Sequence, residues 1–410
     1  MAPHVPPEIW RHIFRCATFT ATSLNMMDWH PHWPYASPPW EVDQALTYFS
    51  TQPTKMALTL VSRHFREMTL EFLFELVQLH YTRNAQLLLD SILPHTTGTD
   101  TRSSPAKWIK YIIVDLDGVS ASDSDQWSMV EVLTKIFPCC SNLAAFGWSS
   151  VRLNGKHDHP TLMASIPLTI TTLEWHADSC MESFYHLRYH TALQNLRVCR
   201  IISMSREGLD VTIPFITHLS VRNPLGFIAE AWWDLPSVSH LTIHNVNYNL
   251  IKQLLSKSRD TIRSIYLPEP LMCKSGDFPR LLASMPNLET LSYAIILNMS
   301  NQLHFSSLWS GVSRHASLTR IYIFAGIGII DKWTLSTIRD FFRFHLQPLM
   351  ASHLLPLTIS IIGISASASH FFKAGEFWED GCHTQAGGKR KFCDELSASL
   401  SSPQIQCFVE

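Results

Sequence analysis

"ITTLEWH" (170–176), "LQNLRVC" (193–199), "ITHLSVR" (216–222) and "VSHLTIH" (238–244) are four wordings of one pattern. Alternate residues of a strand point to opposite faces. Leu173 and Trp175, Leu196 and Val198, Leu219 and Val221, and Leu241 and Ile243 therefore each make one apolar face. The phrase extends both ways, to "IKYIIVDL" (109–116) and "NLAAFGW" (142–148) before it, and to "IRSIYLP" (262–268), "NLETLSY" (287–293), "SLTRIYI" (317–323) and "PLTISII" (356–362) after it. Aligned on the second apolar anchor, the series reads Ile112, Phe146, Leu173, Leu196, Leu219, Leu241, Ile265, Leu291, Ile321 and Ile359. From Leu173 to Leu291 the steps are 23, 23, 22, 24 and 26 residues; the outer steps stretch to between 27 and 38. A strand phrase returning with this period is the signature of leucine-rich repeats.

Helical patterns fill the intervals. "DQWSMVEVLTKIF" (125–137) sets Trp127, Val130, Leu133 and Phe137 on one side, and "NLIKQLLSKSRD" (249–260), "FPRLLASMP" (278–286) and "SSLWSGVSRHA" (306–316) are shorter versions. Strand, turn, helix and return fit within one period. Such a unit buries its apolar face only against its neighbours, so the expected fold over 106–363 is α/β, a solenoid with parallel strands on the concave face and helices outside. The Asn expected three residues beyond the last strand Leu is generally missing, so no buried Asn ladder is expected.

The totals agree with a folded chain of two or three units. It has 410 residues, 46% hydrophobic and only 16% charged. Thirty-two basic and 34 acidic side chains give a formal charge of -2, which points to neither nucleic acid nor a membrane as the main partner. Nine scattered cysteines, none spaced CxxC, suit a reducing compartment. There is no basic-then-apolar leader, and "IYIFAGIGII" (321–330) is too short to span a bilayer. The expected location is cytoplasmic, nuclear or both.

Before the repeats the chain changes character. "VPPEIWRHIF" (5–14) starts a helix with prolines, whose missing N–H costs nothing in a first turn. Ile9 and Ile13, and Trp10 and Phe14, form two adjacent apolar ridges. Residues 20–54 hold Trp29, Trp33, Trp40 and five prolines, an irregular insertion. Helical periodicity returns in "KMALTLVSRHFREMTLEFLFELVQLH" (55–80). So many large apolar residues exceed what a small unit can bury. On periodicity alone, the excess either caps the repeats or docks on a partner.

The wording of these segments resembles an F-box, which opens Leu-Pro-x-Glu-Ile, reaches Ile-Phe, and later carries Leu-Val-Cys-Arg-x-Trp. The matches are Pro6, Glu8, Ile9, Ile13 and Phe14, then Leu60, Val61, Arg63 and Phe65; Val5, Ser62 and Phe65 replace the usual Leu, Cys and Trp. The insertion of about thirty residues between the halves departs from the motif, though "PPEIW" and a long first connection are also met in F-box-like proteins of fungi. The repeats resemble the irregular leucine-rich repeats that follow an F-box in many such proteins. The resemblance implies a substrate-recognition subunit of an SCF-type cullin-RING ubiquitin ligase, serving ubiquitin-dependent degradation and catalysing nothing itself. Pro6, Ile9, Trp10, Ile13, Phe14, Leu60, Val61 and Phe65 would bind a Skp-family adaptor on its cullin scaffold. The alternative is a leucine-rich-repeat binding scaffold with no ligase role.

Strand alternation assigns the candidate substrate face: Glu174, His176, Arg197, Cys199, Ser220, Arg222, Thr242, His244, Tyr266, Ser292, Tyr322 and Phe324. Its early part is charged and its late part aromatic. The expected substrate is a protein.

No glycine-rich phosphate loop, HExxH or GxSxG is present, so no cofactor and no catalytic site are expected. Asp28/His30/His32, His157/Asp158/His159 and Cys382/His383/Cys393 lack the paired spacing of a zinc site, so no metal is expected either. The expected organisation is a helical unit over 1–80, a linker over 81–105, repeats over 106–363, and a loosely ordered Ser-rich tail over 364–410.

Overall fold

The computed structural model describes residues 5–18, 51–96, 104–116, 123–150, 160–179, 184–201, 211–221, 233–243, 258–270, 277–297, 308–312, 315–327, 335–351, 358–362, 398 and 405–407. The insertion read at 20–54 lies outside them except for its last four residues, and the Ser-rich tail lies outside them except for residue 398 and one short strand. The chain divides into two compact units, Met1–Leu235 and Pro236–Glu410.

The first unit opens with helices α1 (Pro7–Thr18), α2 (Gln52–Val61) and α3 (Arg63–Phe74). It continues into strand β1 (Leu76–Leu79) and helix α4 (Thr82–Thr96). Strands β2 (Tyr111–Asp115), β3 (Ala145–Ser150), β4 (Thr172–Ser179) and β5 (Asn195–Ile201) follow, with α5 (Asp123–Ile136) and α6 (Pro160–Ser165) between them. Short strands β6 (Val211–Thr212) and β8 (Trp233–Asp234) pair with each other on either side of β7 (His218–Val221). All lateral pairings β1-β2-β3-β4-β5-β7 are parallel.

The second unit carries β9 (His240–Ile243), β10 (Ser264–Pro270), β11 (Thr290–Leu297), β12 (Arg320–Ile327), β13 (Thr358–Ile362) and β14 (Ile405–Cys407), again parallel throughout. Helices α7 (Asp277–Ala283) and α8 (Leu335–Ala351) belong to it. The fold is α/β with parallel sheets, compatible with a solenoid.

The anchors read from the sequence sit opposite one another. Ile112, Phe146, Leu173, Leu196 and Leu219 are consecutive register partners in the first unit, and Leu241, Ile265, Leu291, Ile321 and Ile359 in the second. All ten are buried. The structure adds Val77 before this row and Ile405 after it. From β1 to β7 and from β9 to β12, one carbonyl joins each strand to the next: the residue two before the anchor accepts two successive N–H groups of its neighbour. Glu75 O receives Lys110 and Tyr111 N, Lys110 O receives Ala144 and Ala145 N, and Ala144 O receives Thr171 and Thr172 N, all within 3.1 Å. Arg263 and Glu289 do the same in the second unit.

In place of an Asn ladder, small polar side chains four residues before the anchor tie neighbours together. Asn142 Nδ2 donates to Lys107 O at 2.6 Å, Thr261 Oγ1 to Val238 O at 2.7 Å, Asn287 Nδ2 to Asp260 O at 2.8 Å and Ser317 Oγ to Pro286 O at 2.8 Å.

Three expectations need correcting. Residues 81–105 are no plain linker: Ala85, Leu88, Leu89 and Ile92 bury one side of α4. The helical unit does not end in helix: residues 76–79 form β1 and enter the sheet. At "SSLWSGVSRHA", the described part is a turn, closed by Val312 N donating to Trp309 O, with Gly311 at φ +80°. That backbone suits glycine and stops a helix. Most of "NLIKQLLSKSRD" lies outside the described residues.

Candidate docking faces

The N-terminal helices have a core of their own. Phe14, Met68 and Phe72 are buried together, with Trp10, Leu58 and Phe65 packed against them. The Trp10 ring lies 4.8 Å from Phe65, and the Phe14 ring 4.9 Å from Phe65, edge-on. Ser62 holds the start of α3 by accepting the Phe65 N–H at 3.1 Å. The two ridges of α1 thus separate. Trp10 and Phe14 turn inward, while Ile9 and Ile13 turn out.

Of the eight residues expected to meet an adaptor, Pro6, Ile9, Ile13, Leu60 and Val61 are exposed. Phe14 is only 1% exposed, and Trp10 and Phe65 are half-buried against it. Phe14 is therefore reassigned from surface to interior: its ring is spent on the local core and sets the spacing of α1 from α3. Met56, one turn before Leu60, joins the exposed set. Exposures of 51% for Ile9, 43% for Ile13, 51% for Met56, 82% for Leu60 and 64% for Val61 are high for side chains of this kind.

A carboxylate fastens this unit to the sheet. Glu75, buried between α3 and β1, accepts from Arg15 Nη1 at 2.7 Å and from Lys110 Nζ at 2.8 Å. The Arg15 guanidinium also lies 4.7 Å from the Phe72 ring centre. Lys55 is buried here too. Loss of water pulls its pKa down to about 8, against the opposing pull of the Glu75 carboxylate. Burial likewise pushes the Tyr111 hydroxyl up to about 12.

The candidate substrate face follows the expected register. Glu174, Arg197 and Ser220 are successive lateral partners in the first unit; Thr242, Tyr266, Ser292 and Tyr322 are so in the second. Their burial varies along the face. Glu174, Ser220, Thr242 and Ser292 are buried, and only Tyr266, Tyr322 and Phe324 are half-exposed. His176, Arg197 and Cys199 lie on strands β4 and β5; Arg222 and His244 lie outside the described residues.

The three His- or Cys-containing groups weighed as metal ligands also lie outside the described residues. Among the described residues no group of three or more His, Cys, Asp or Glu side chains is placed to hold a metal, and no helix is long and apolar enough to cross a membrane. The second unit has one buried polar group that sequence reasoning missed. Trp309 Nε1 donates to Tyr293 Oη at 3.0 Å, and Tyr293 Oη lies 2.7 Å from His345 Nε2. An indole N–H can only donate, so Tyr293 Oη accepts there and its own O–H is left to donate a hydrogen bond to Nε2 of a neutral ring. Burial draws the His345 pKa down to about 4.

Compared with known proteins, the chain matches no family model, and no curated protein matches it either.

Proposed function

We propose that the chain is the substrate-recognition subunit of an SCF-type cullin-RING ubiquitin ligase, with an F-box-like helical unit and irregular leucine-rich repeats. The helices would dock on a Skp-family adaptor, and the repeats would hold a substrate protein. The observation that carries the reading is the exposed set Ile9, Ile13, Met56, Leu60 and Val61 on helices that already possess a core. A cap for the repeats would turn these side chains toward the sheet. Here it is the Glu75 side that meets the sheet. Apolar anchors on short helices suit helix-in-groove association. The ligase would act through proximity, raising the local concentration of substrate lysines at the conjugating enzyme.

The test is co-purification of the full chain with a Skp-family adaptor, beside an Ile9→Asp/Leu60→Asp variant. Both positions are exposed, so this variant keeps its fold. Capture by the wild type alone supports the reading; no capture by well-folded wild type removes it in favour of a repeat scaffold without ligase function.

A further inference from the structure

Parallel pairing brings the segments that lead into neighbouring strands to one end of the sheet. In the first unit the described residues leading into β2, β3, β4, β5 and β7 (104–110, 137–144, 166–171, 184–194 and 213–217) contain no Asp or Glu. Three large apolar side chains are exposed there ahead of three adjacent strands: Leu168 before β4, Tyr189 before β5 and Phe215 before β7. The cations at this end are Lys107, Lys110 and Arg188. Lys110 is taken up by Glu75. The other two meet aromatic rings instead. Lys107 Nζ lies 4.6 Å from the Trp108 ring centre. Arg188, in a short 3-10 helix (Tyr185–Tyr189), has its guanidinium carbon 3.5 Å from the Tyr185 ring centre and 4.5 Å from that of Tyr189, and its Nη2 donates to Tyr189 Oη. Among the described residues neither cation meets a carboxylate. The second unit differs at the segments before its strands: Arg259 meets Asp260 at 3.2 Å, and Arg263 meets Glu289 at 2.8 Å.

This end therefore carries uncompensated positive charge beside open apolar side chains, and that combination specifies a ligand. A guanidinium stacked on rings keeps its in-plane edge for an anion, and its fork matches a carboxylate. Arg188 is half-exposed, and Nε is its one enclosed nitrogen without a partner. Nη2 serves Tyr189, so Nη1 is the edge within reach of a ligand. The two rings already hold the side chain in place, which lowers the entropy lost on binding. In strand order Arg188 stands between Leu168 and Phe215, so an acid bound to it would bring its own neighbours over apolar surface. Covering that surface is favourable by about 25 cal/mol per Å². A nucleic acid fits less well, because two cations cannot follow a phosphate backbone.

We propose that this end of the first unit docks a segment of a partner protein in which an acidic residue is flanked by apolar ones, the carboxylate on Arg188 and the apolar side chains on Leu168 and Phe215. It is a surface separate from the exposed set on the N-terminal helices and from the strand face read as holding substrate, and it depends on neither.

The experiment is fluorescence anisotropy with the full chain and a labelled Gly-Ser peptide carrying leucine, glutamate and phenylalanine in succession at its centre. The controls are the same peptide with glutamine for glutamate, and a labelled oligothymidylate. Saturable binding of the glutamate peptide is expected, weakened roughly tenfold by the glutamine replacement or by Arg188→Gln, and weakened further as salt rises. A Leu168→Ser/Phe215→Ser variant should weaken binding several-fold without lowering Tm, because both side chains are exposed. That variant keeps the test decisive if Arg188→Gln fails to fold. No binding by folded wild type, equal binding of the two peptides, binding indifferent to both variants, or tighter binding of the oligothymidylate overturns the proposal. A chain that captures the adaptor yet ignores the glutamate peptide sinks this inference alone. A chain that binds the peptide but no adaptor sinks the ligase reading alone.

Discussion

Leu60→Ala separates docking from folding. Leu60 is 82% exposed at the end of α2, so truncation removes almost no contact from the free chain. Alanine is at least as good a helix former as leucine. Stability should stay within about 0.5 kcal/mol of wild type. A partner that covers the side chain gains roughly 0.8 kcal/mol for each buried carbon. Removing three carbons, about four-fifths of whose surface is open, should cost about 2 kcal/mol of binding. That is roughly a thirtyfold weaker Kd. Isothermal titration of purified chain with a Skp-family adaptor reads the affinity, and thermal unfolding reads the stability. Unchanged affinity together with a loss of stability above about 1 kcal/mol would refute the reasoning, because it would place Leu60 inside a cap.

The neighbouring pair Ile13 and Phe14 should divide the same way: Phe14→Ala should cost about 3–5 kcal/mol of stability in the helical unit, read by hydrogen exchange of 52–74, whereas Ile13→Ala costs about 0.5 kcal/mol or less. Lys55 has a folded pKa of about 8, below its unfolded value, so between about pH 8 and 10.5 the unfolded chain holds the extra proton. The stability of wild type relative to Lys55→Met should therefore rise with pH across that window, by at most about 1.4 kcal/mol per unit, and a flat difference in urea unfolding would contradict the assignment. His345, with a folded pKa of about 4, follows the same sign at lower pH. Stability of the second unit should fall as pH drops from about 6.5 to 4, and His345→Gln, which can still accept from Tyr293, should flatten that slope in acid denaturation.

The sheet was largely legible because a parallel sheet demands the same residue type at the same lateral position. Alignment of phrases is then alignment of strands, and within each unit five anchors fall into register, Ile112 to Leu219 in the first and Leu241 to Ile359 in the second. The ends were harder. "LVQL" at β1 continues the apolar spacing of α3, so periodicity cannot tell where helix gives way to strand, and β1 is revealed only by its pairing with Tyr111–Val114. The strand Ile405–Cys407 is three residues in a Ser-rich stretch, too short for a pattern. The signal for α4 is present in Ala85, Leu88, Leu89 and Ile92, at helical spacing, in a stretch whose short length and flanking polar residues read as a linker. On the N-terminal helices the apolar residues were legible in the sequence without their division. Ile9/Ile13 and Trp10/Phe14 have identical spacing on one helix, and which ridge faces inward is decided by aromatic contact with Phe65 across the chain.

Glu75 serves two neighbours at once. Its carboxylate holds Arg15 of α1 and Lys110 ahead of β2, while its carbonyl takes the N–H groups of Lys110 and Tyr111 at the start of β2. The helices are consequently no detachable cassette. A fragment cut at residue 80 would keep β1 but lose its parallel neighbour β2, leaving an open strand edge able to pair with other copies. It would also strip Lys110 from a buried acid. Dissection of the chain should cut beyond β2 rather than at the end of the N-terminal helices, and transplanting those helices onto another parallel sheet would require carrying Glu75 and its lysine along.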